Sequence, residues 1–394
     1  MIIEFFAYLF AAIMVLLGLL FRRNRLVTFL LLFYMWALIG LNTYSPDYDT
    51  YQYIYENVLQ VASFEPLFIL FCQFGSFNEL NYQQFRMLFA LVLVFIEYKA
   101  VRLYTKEINF VLSLFILFPF IFYVSGIRIG MATAIACYAF YYLFDASKLS
   151  GLKYVILIVT AASFQYVSLF YLFFLLVRFN VSTKTVFSFF ILSPSLIILY
   201  YTGILYQFVN LFSEDYRILH WFENNWSERY NLLLVAIIIC TQLTYLFCIE
   251  YSSRKLENFL ERDGNQKYLC ILMTKNGIVR LRKANYLLLL ITPLYLVNIE
   301  FVRLFYGIII LEFSQMANAI FLPRISCEGT SINLKRNEHQ MFEMVIMISL
   351  VLCGFVFFGG IMFQGAFFPH IFKDNMLFHS MLVSDYFFCP FVEY

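Results

Sequence analysis

The sequence predicts an all-α polytopic membrane protein of about ten to twelve transmembrane helices, with re-entrant segments and outward-facing loops. Three observations carry this expectation. Of the 394 residues, 62% are hydrophobic and 13% charged, with a mean hydropathy of +0.78. A water-soluble domain of this length exposes too much surface to hide so many apolar side chains. Apolar stretches of about 20 residues, enough to cross ~30 Å of hydrocarbon as a helix, recur along the chain. The N-terminus, "MIIEFFAYLFAAIMVLLGLLFRRNR", is apolar first and basic afterwards. A signal peptide has the reverse order, so a retained first span is expected.

In chain order the expected spans are 2–21, 26–42, 84–101, 108–124, 128–145, 186–202, 232–250, 285–303, 304–322 and 342–361. Two apolar pieces fit less simply. "EPLFILFCQFGSF" (65–77) is short for a crossing and suits a re-entrant segment. The stretch from Lys153 to Arg178 covers about 37 Å as continuous helix, which suits one tilted span or a hairpin broken near Ser163–Gln165. "RRNR" (22–25) and the loop 251–284 hold most of the loop charge. The latter carries Arg254, Lys255, Arg262, Lys267, Lys275, Arg280, Arg282 and Lys283. Loops rich in Lys and Arg stay in the cytoplasm, which places both there. Leaving both short pieces uncrossed keeps more of the basic residues inside. Residues 1–361 then form one transmembrane domain, with outer loops 43–83 and 203–231, and the tail 362–394 unassigned.

With that topology the outer face has a bias. Before Lys373 in the tail, its basic residues are all arginine: Arg86, Arg128, Arg217, Arg229 and Arg303. A planar guanidinium fork matches phosphate or carboxylate, whereas lysine is a point charge. Arg128 stands alone in "YVSGIRIGMATAIACYAFYYLF" (123–144), where an arginine at the bilayer centre costs about 2.5–3.5 kcal/mol on insertion scales. Two such forks at one depth, Arg128 and Arg303, would hold a lipid pyrophosphate and stabilise its charge as it leaves.

The first outer loop, "NTYSPDYDTYQYIYENVLQVASFEP" (42–66), combines Asp47, Asp49 and Glu65 with Tyr48 and Tyr51. Rings under sugar C–H faces and acids on hydroxyls suit a glycan, while tyrosines alone also form an interfacial belt. "DYD" has the D-x-D form that holds divalent cations in many sugar transferases, yet no other outer acid or histidine completes a ligand set. No metal and no cofactor are therefore expected. In the second loop, Arg217, His220 and Trp221 share one face of a short amphipathic helix, a candidate substrate surface. The net charge of +2 is too small to suggest a nucleic-acid partner, and the eight cysteines show no paired spacing.

"DYDTYQYIYE", "EPLFILFCQFGSF", "NYQQFRMLFALV", "GIRIGMATAIACYAFYYL", "ASFQYVSLFYLFFLL" and "FVRLFYGIIILEF" follow in that order. Over roughly residues 20–320 this series resembles the EpsG branch of the Wzy-type polysaccharide polymerases. The resemblance implies a GT-C-like glycosyltransferase at the outer face of the bacterial cytoplasmic membrane. Its substrate would be an oligosaccharide repeat unit on undecaprenyl pyrophosphate, joined into O-antigen, capsule or exopolysaccharide. Membrane lipid, a flippase and a chain-length regulator are the candidate partners. Arg128 and Arg303 match the family's arginines. Ile129 follows Arg128 where the family more often has glutamine, and Gln165 stands where it usually has histidine. Glutamine hydrogen-bonds but takes no proton: either the family's histidine is a substrate contact, or Asp47, Asp49 or Glu65 takes the proton here. Arg86, Gln165, Arg217 and His220, with Tyr48 and Tyr51, are the expected substrate contacts. The rival reading is a lipid-linked oligosaccharide flippase, which tends to carry internal repeats and a mid-membrane site.

Overall fold

The computed structural model describes residues 2–60, 65–179, 195, 198–199, 202–211, 219, 232–263, 270–292, 295, 299–322, 340–352 and 375–377. Every regular element among them is helical. The order begins α1 (Ile2–Leu20), α2 (Arg25–Gly40), α3 (Tyr48–Glu56), α4 (Pro66–Phe77) and α5 (Tyr82–Tyr104). It continues α6 (Ile108–Leu117), α7 (Ile121–Ser125), α8 (Ile127–Phe144), α9 (Ser150–Ala162) and α10 (Tyr166–Arg178), the last wound as 3-10 turns. Then come α11 (Ile204–Asn210), α12 (Leu232–Asp263), α13 (Lys275–Ile291) and α14 (Arg303–Ile320). Last is α15 (Gln340–Leu352).

Outward side chains on α1, α2, α5 and α9, among them Leu16, Phe29, Phe95 and Ile156, are exposed and apolar. Such a surface suits lipid, and the architecture is compatible with a polytopic membrane protein. Among the described residues α8 is the one helix both long and apolar enough for a simple crossing. The expected span 108–124 is two helices, α6 and α7, broken around Pro119, whose ring cannot continue a helix. The span at 285–303 begins earlier and ends at Ile291, while the helix from Leu232 runs on to Asp263. Residues 251–263 and 275–284 of the basic segment, expected to be partly helical, are helix. Most of 186–202 lies outside the described residues.

The helices share two chemically different ends. At one, Asn109 of α6 donates to the Phe21 and Asn24 carbonyls at 2.6 and 2.8 Å, and Arg23 pairs with Glu107. Arg280 of α13 donates to the last carbonyls of α8, at Leu143, Phe144 and Asp145, each at 3.0 Å. A cation there complements the negative end of the helix dipole. Asn318 of α14 donates to the Tyr104 carbonyl at 2.8 Å. The two basic segments expected on one side of the membrane thus lie at one end of the bundle. Arg128 is at the other end, separated by the ~27 Å length of α8. Residues 375–377 also join that far end, where Met376 N donates to the Leu41 carbonyl at 2.9 Å.

Both short apolar pieces turn back. Arg178, at the end of α10, donates to the Asp145 carbonyl at 3.1 Å and to Ser150 Oγ at 2.7 Å, where α9 begins. The stretch 153–178 is therefore a hairpin that enters and leaves at the basic end, with its tip at Ser163–Gln165. α4 is only ~18 Å long. It begins with Glu65 against Arg128 and ends beside Leu80, whose carbonyl accepts from Tyr55 at 2.6 Å. It stays at the Arg128 end.

Candidate functional site

Five elements converge where Arg128 opens α8. Close approach is possible because Gly130 has no side chain: a Cβ there would meet Leu93 at 2.8 Å and Tyr123 at 2.9 Å. This lets α8 press against α5 and fixes Arg128 at the rim. Its Nη1 donates to Glu65 Oε2 at 2.5 Å, and its guanidinium lies over the rings of Tyr51 (5.0 Å) and Phe68 (5.4 Å). The Arg128 side chain keeps 15% exposure and that of Glu65 5%. Arg128 therefore has an open edge, while its carboxylate partner is nearly enclosed.

Asp47 precedes α3 and sits within electrostatic reach of Arg303, Arg128 and Arg86. These three cations pull its carboxyl down, but burial outweighs them and leaves it above the usual carboxylate range. Tyr51, one helical turn on, lies beside Arg128 and Asp47, and burial pushes its hydroxyl up. Asp49 falls on the exposed side of α3 and does not join this group. Arg303 is the first residue of α14, half-buried, and its carbonyl accepts from Tyr171 of α10 at 3.3 Å.

Arg86 has a different place from the one expected of a substrate contact. It is fully buried, its Nε donating to the Ile39 carbonyl at 2.8 Å and its Nη2 to the Val124 carbonyl at 2.6 Å. It ties the C-terminal ends of α2 and α7 together and lies 5.2 Å from the Tyr48 ring. Tyr48 in turn donates to Gln83 at 3.1 Å, so α3 is held against α5. Gln165 is at the hairpin tip with its Oε1 buried and unpartnered. Leu67 N donates to the Ser163 carbonyl at 3.0 Å, joining that tip to the start of α4. Arg217 and His220 lie outside the described residues, as does the Glu300 side chain that is a possible partner for Arg303.

Asp47, Tyr48, Tyr51, Glu65, Arg128 and Arg303 are thus brought together, with Arg86 beneath them and Gln165 one contact away. Sequence reasoning missed the apolar floor: Phe68 and Phe71 of α4 pack on Phe89, and Phe71 on Phe164 beside Gln165. Its one available signal was the Phe-rich spacing of 64–74. Among the described residues no group of three or more acids, histidines and cysteines is arranged to hold a metal ion.

A family model described as the EpsG family matches residues 25–372, which takes in every helix from α2 to α15. No curated protein and no solved structure matches the chain.

Proposed function

We propose, for a chain that belongs to the EpsG family, that the Arg128 end is the active site of a repeat-unit polymerase. Family membership points to a polysaccharide polymerase, a glycosyltransferase in general terms. The finer reading is an enzyme acting on undecaprenyl-pyrophosphate-linked oligosaccharide at the outer face of the cytoplasmic membrane. The observation that carries it is Asp47, a shielded acid held among Arg303, Arg128 and Arg86 at the end remote from the basic segments. A carboxyl raised above its ordinary value is a better proton acceptor when ionised.

In the reaction the acceptor sugar hydroxyl attacks the anomeric carbon of the donor. The new C–O bond forms as the bond from that carbon to the pyrophosphate oxygen breaks, and the hydroxyl proton passes to Asp47. Arg128 and Arg303 take up the charge that develops on the leaving lipid pyrophosphate. Because Glu65 occupies Arg128, the arriving phosphate competes with that carboxylate and frees it to face the acceptor. The three arginines around Asp47 repel a divalent cation, so the D-x-D pair serves here without metal. Arg86 is a positioning residue that holds α2, α7 and α3 in register beneath Asp47. The ring floor and the tyrosines of α3 carry the sugars.

The test is complementation of a strain lacking the gene with Arg128→Ala or Asp47→Asn. Both variants should reach the membrane, lose the long polysaccharide ladder, and leave single repeat units exported. Normal ladders from either variant overturn its assigned role. Trapping of lipid-linked units on the inner face makes the protein a flippase instead.

A further inference from the structure

Leu88, Leu91, Val92, Phe95, Lys99 and Arg102 of α5 are all exposed, and on a helix they fall within ~60° of one line along its surface. This is the face opposite Arg86, Leu93 and Glu97. The stripe is apolar as far as Phe95 and cationic beyond it. The Lys99 ammonium lies 5.1 Å from the Phe95 ring centre, and the Arg102 guanidinium 5.5 Å from that of Tyr98. Its cationic end is the basic end of the bundle, where Asn318 reaches the Tyr104 carbonyl. Arg102 also lines a cavity of about 570 Å³ between α5, α8 and α13. Arg102 and Lys106 form one wall, Tyr141 and Asp145 at the end of α8 a second, and Thr274 and Asn276 at the start of α13 a third.

Each wall suits an anion. Two cations stand against one acid, Asp145, whose carboxylate already accepts from Ser147 Oγ at 2.6 Å. The last carbonyls of α8, which would repel an anion, accept from Arg280 at 3.0 Å. Thr274 caps α13, its Oγ1 accepting from Gly277 N at 3.1 Å, and the turn it opens carries N–H groups with no partner inside the helix. From Leu88 to Lys99 the stripe runs ~16 Å, about the hydrocarbon depth of one leaflet. Basic pockets between membrane helices bind anionic headgroups, and here an apolar track of one leaflet's depth leads to such a pocket. We infer that the cavity holds the headgroup of an anionic phospholipid, phosphatidylglycerol in type, with an acyl chain along the Leu88–Phe95 stripe. Two cations and one acid leave one positive charge, which that headgroup's single negative charge balances. Thr274, Asn276 and Tyr141 offer hydrogen bonds to its hydroxyls. A free phosphate would use the cavity and leave the stripe bare. The inference rests on a membrane-embedded chain and is independent of the polymerase reading, since the cavity lies the length of α8 away from Arg128.

The experiment is thermal unfolding of the purified full chain in a neutral detergent, with phosphatidylglycerol, phosphatidylethanolamine, phosphatidylcholine or inorganic phosphate added. Binding to the folded state raises the unfolding midpoint, so phosphatidylglycerol should raise it by at least ~2 °C at saturation and exceed the other three. Arg102→Gln and Lys106→Gln should each raise the phosphatidylglycerol concentration for half the shift about fivefold. Phe95→Ser, which keeps every cation, should also raise it several-fold. Lys148→Gln removes an exposed lysine of the same end that does not line the cavity, and should leave it unchanged. No shift with phosphatidylglycerol, or equal shifts with all three lipids, overturns the inference. An equal shift with inorganic phosphate makes the ligand soluble and overturns the lipid assignment. A loss in Lys148→Gln as large as in Arg102→Gln reduces the effect to surface charge and overturns it too. If one lining variant does not accumulate, the other decides. None of these readouts depends on polymerase activity, so the two readings fail separately.

Discussion

Asp47 and Asp49 differ by two residues and by everything that matters to a base. On a helix two residues are ~200° apart, so when Asp47 faces the arginines Asp49 faces away. The consequence is a pH dependence with a definite sign. A base works ionised, so turnover by the reconstituted protein should fall on acidification. Because burial holds the Asp47 carboxyl high, the fall should come above the ordinary carboxylate range near ~3.9. A limb within that range would point to an exposed acid such as Asp49. Arg86 makes a second prediction at this scale. Replacement with leucine removes two charge-assisted bonds to buried carbonyls, and the unfolding midpoint should show a loss of roughly 2–3 kcal/mol. Unchanged stability would remove its positioning role. The sequence made Asp47, Glu65, Arg128 and Arg303 visible because charge is rare in so apolar a chain. It did not separate Asp47 from Asp49, or Arg86 as staple from Arg86 as ligand. The spacing held a clue, since Arg86, Leu93 and Glu97 share the inward face of α5.

The α9–α10 hairpin shows what length alone leaves open. From Lys153 to Arg178 the chain is long enough either to cross or to fold back, and hydropathy is the same for both. The decision came from polar groups at the ends: Arg178 returns to the carbonyls after α8. The break between α6 and α7 falls at Pro119, a signal passed over by the single span expected at 108–124, while α12 carries on past the hydrophobic stretch through the charges of a segment expected to be partly helical. Those charges are paired across helices, Arg282 with Glu257 and Lys255 with Glu343. The hairpin meets α14 where Gly307 faces the Tyr171 hydroxyl. A Cβ at Gly307 would stand 2.1 Å from that oxygen. Gly307→Ala should therefore push α10 away from the Arg303 turn and cost about 1–3 kcal/mol of stability, read from the unfolding midpoint. An unchanged midpoint would mean the contact is looser than drawn.

Across the whole molecule the two ends are distinguished by charge type. On the proposed orientation, which follows the positive-inside rule, the Arg22, Arg23 and Arg280 end faces the cytoplasm. Single cysteines placed at Lys148 and Phe179, both exposed at the base of the hairpin, should then resist an impermeant maleimide in intact spheroplasts. A cysteine at Tyr53 on α3 should react. The reverse pattern would invert the protein, and opposite labelling at Lys148 and Phe179 would make the hairpin a true crossing.

Every described lysine, from Lys99 through Lys106, Lys148, Lys153, Lys255 and Lys275 to Lys283, belongs to the basic half of the bundle. Reagents that acylate primary amines will therefore find no handle among the described residues around Asp47. Crosslinkers and dyes of that kind are blind to the neighbourhood of the proposed site. A covalent probe for it has to be designed for a guanidinium, a phenol or a carboxylate.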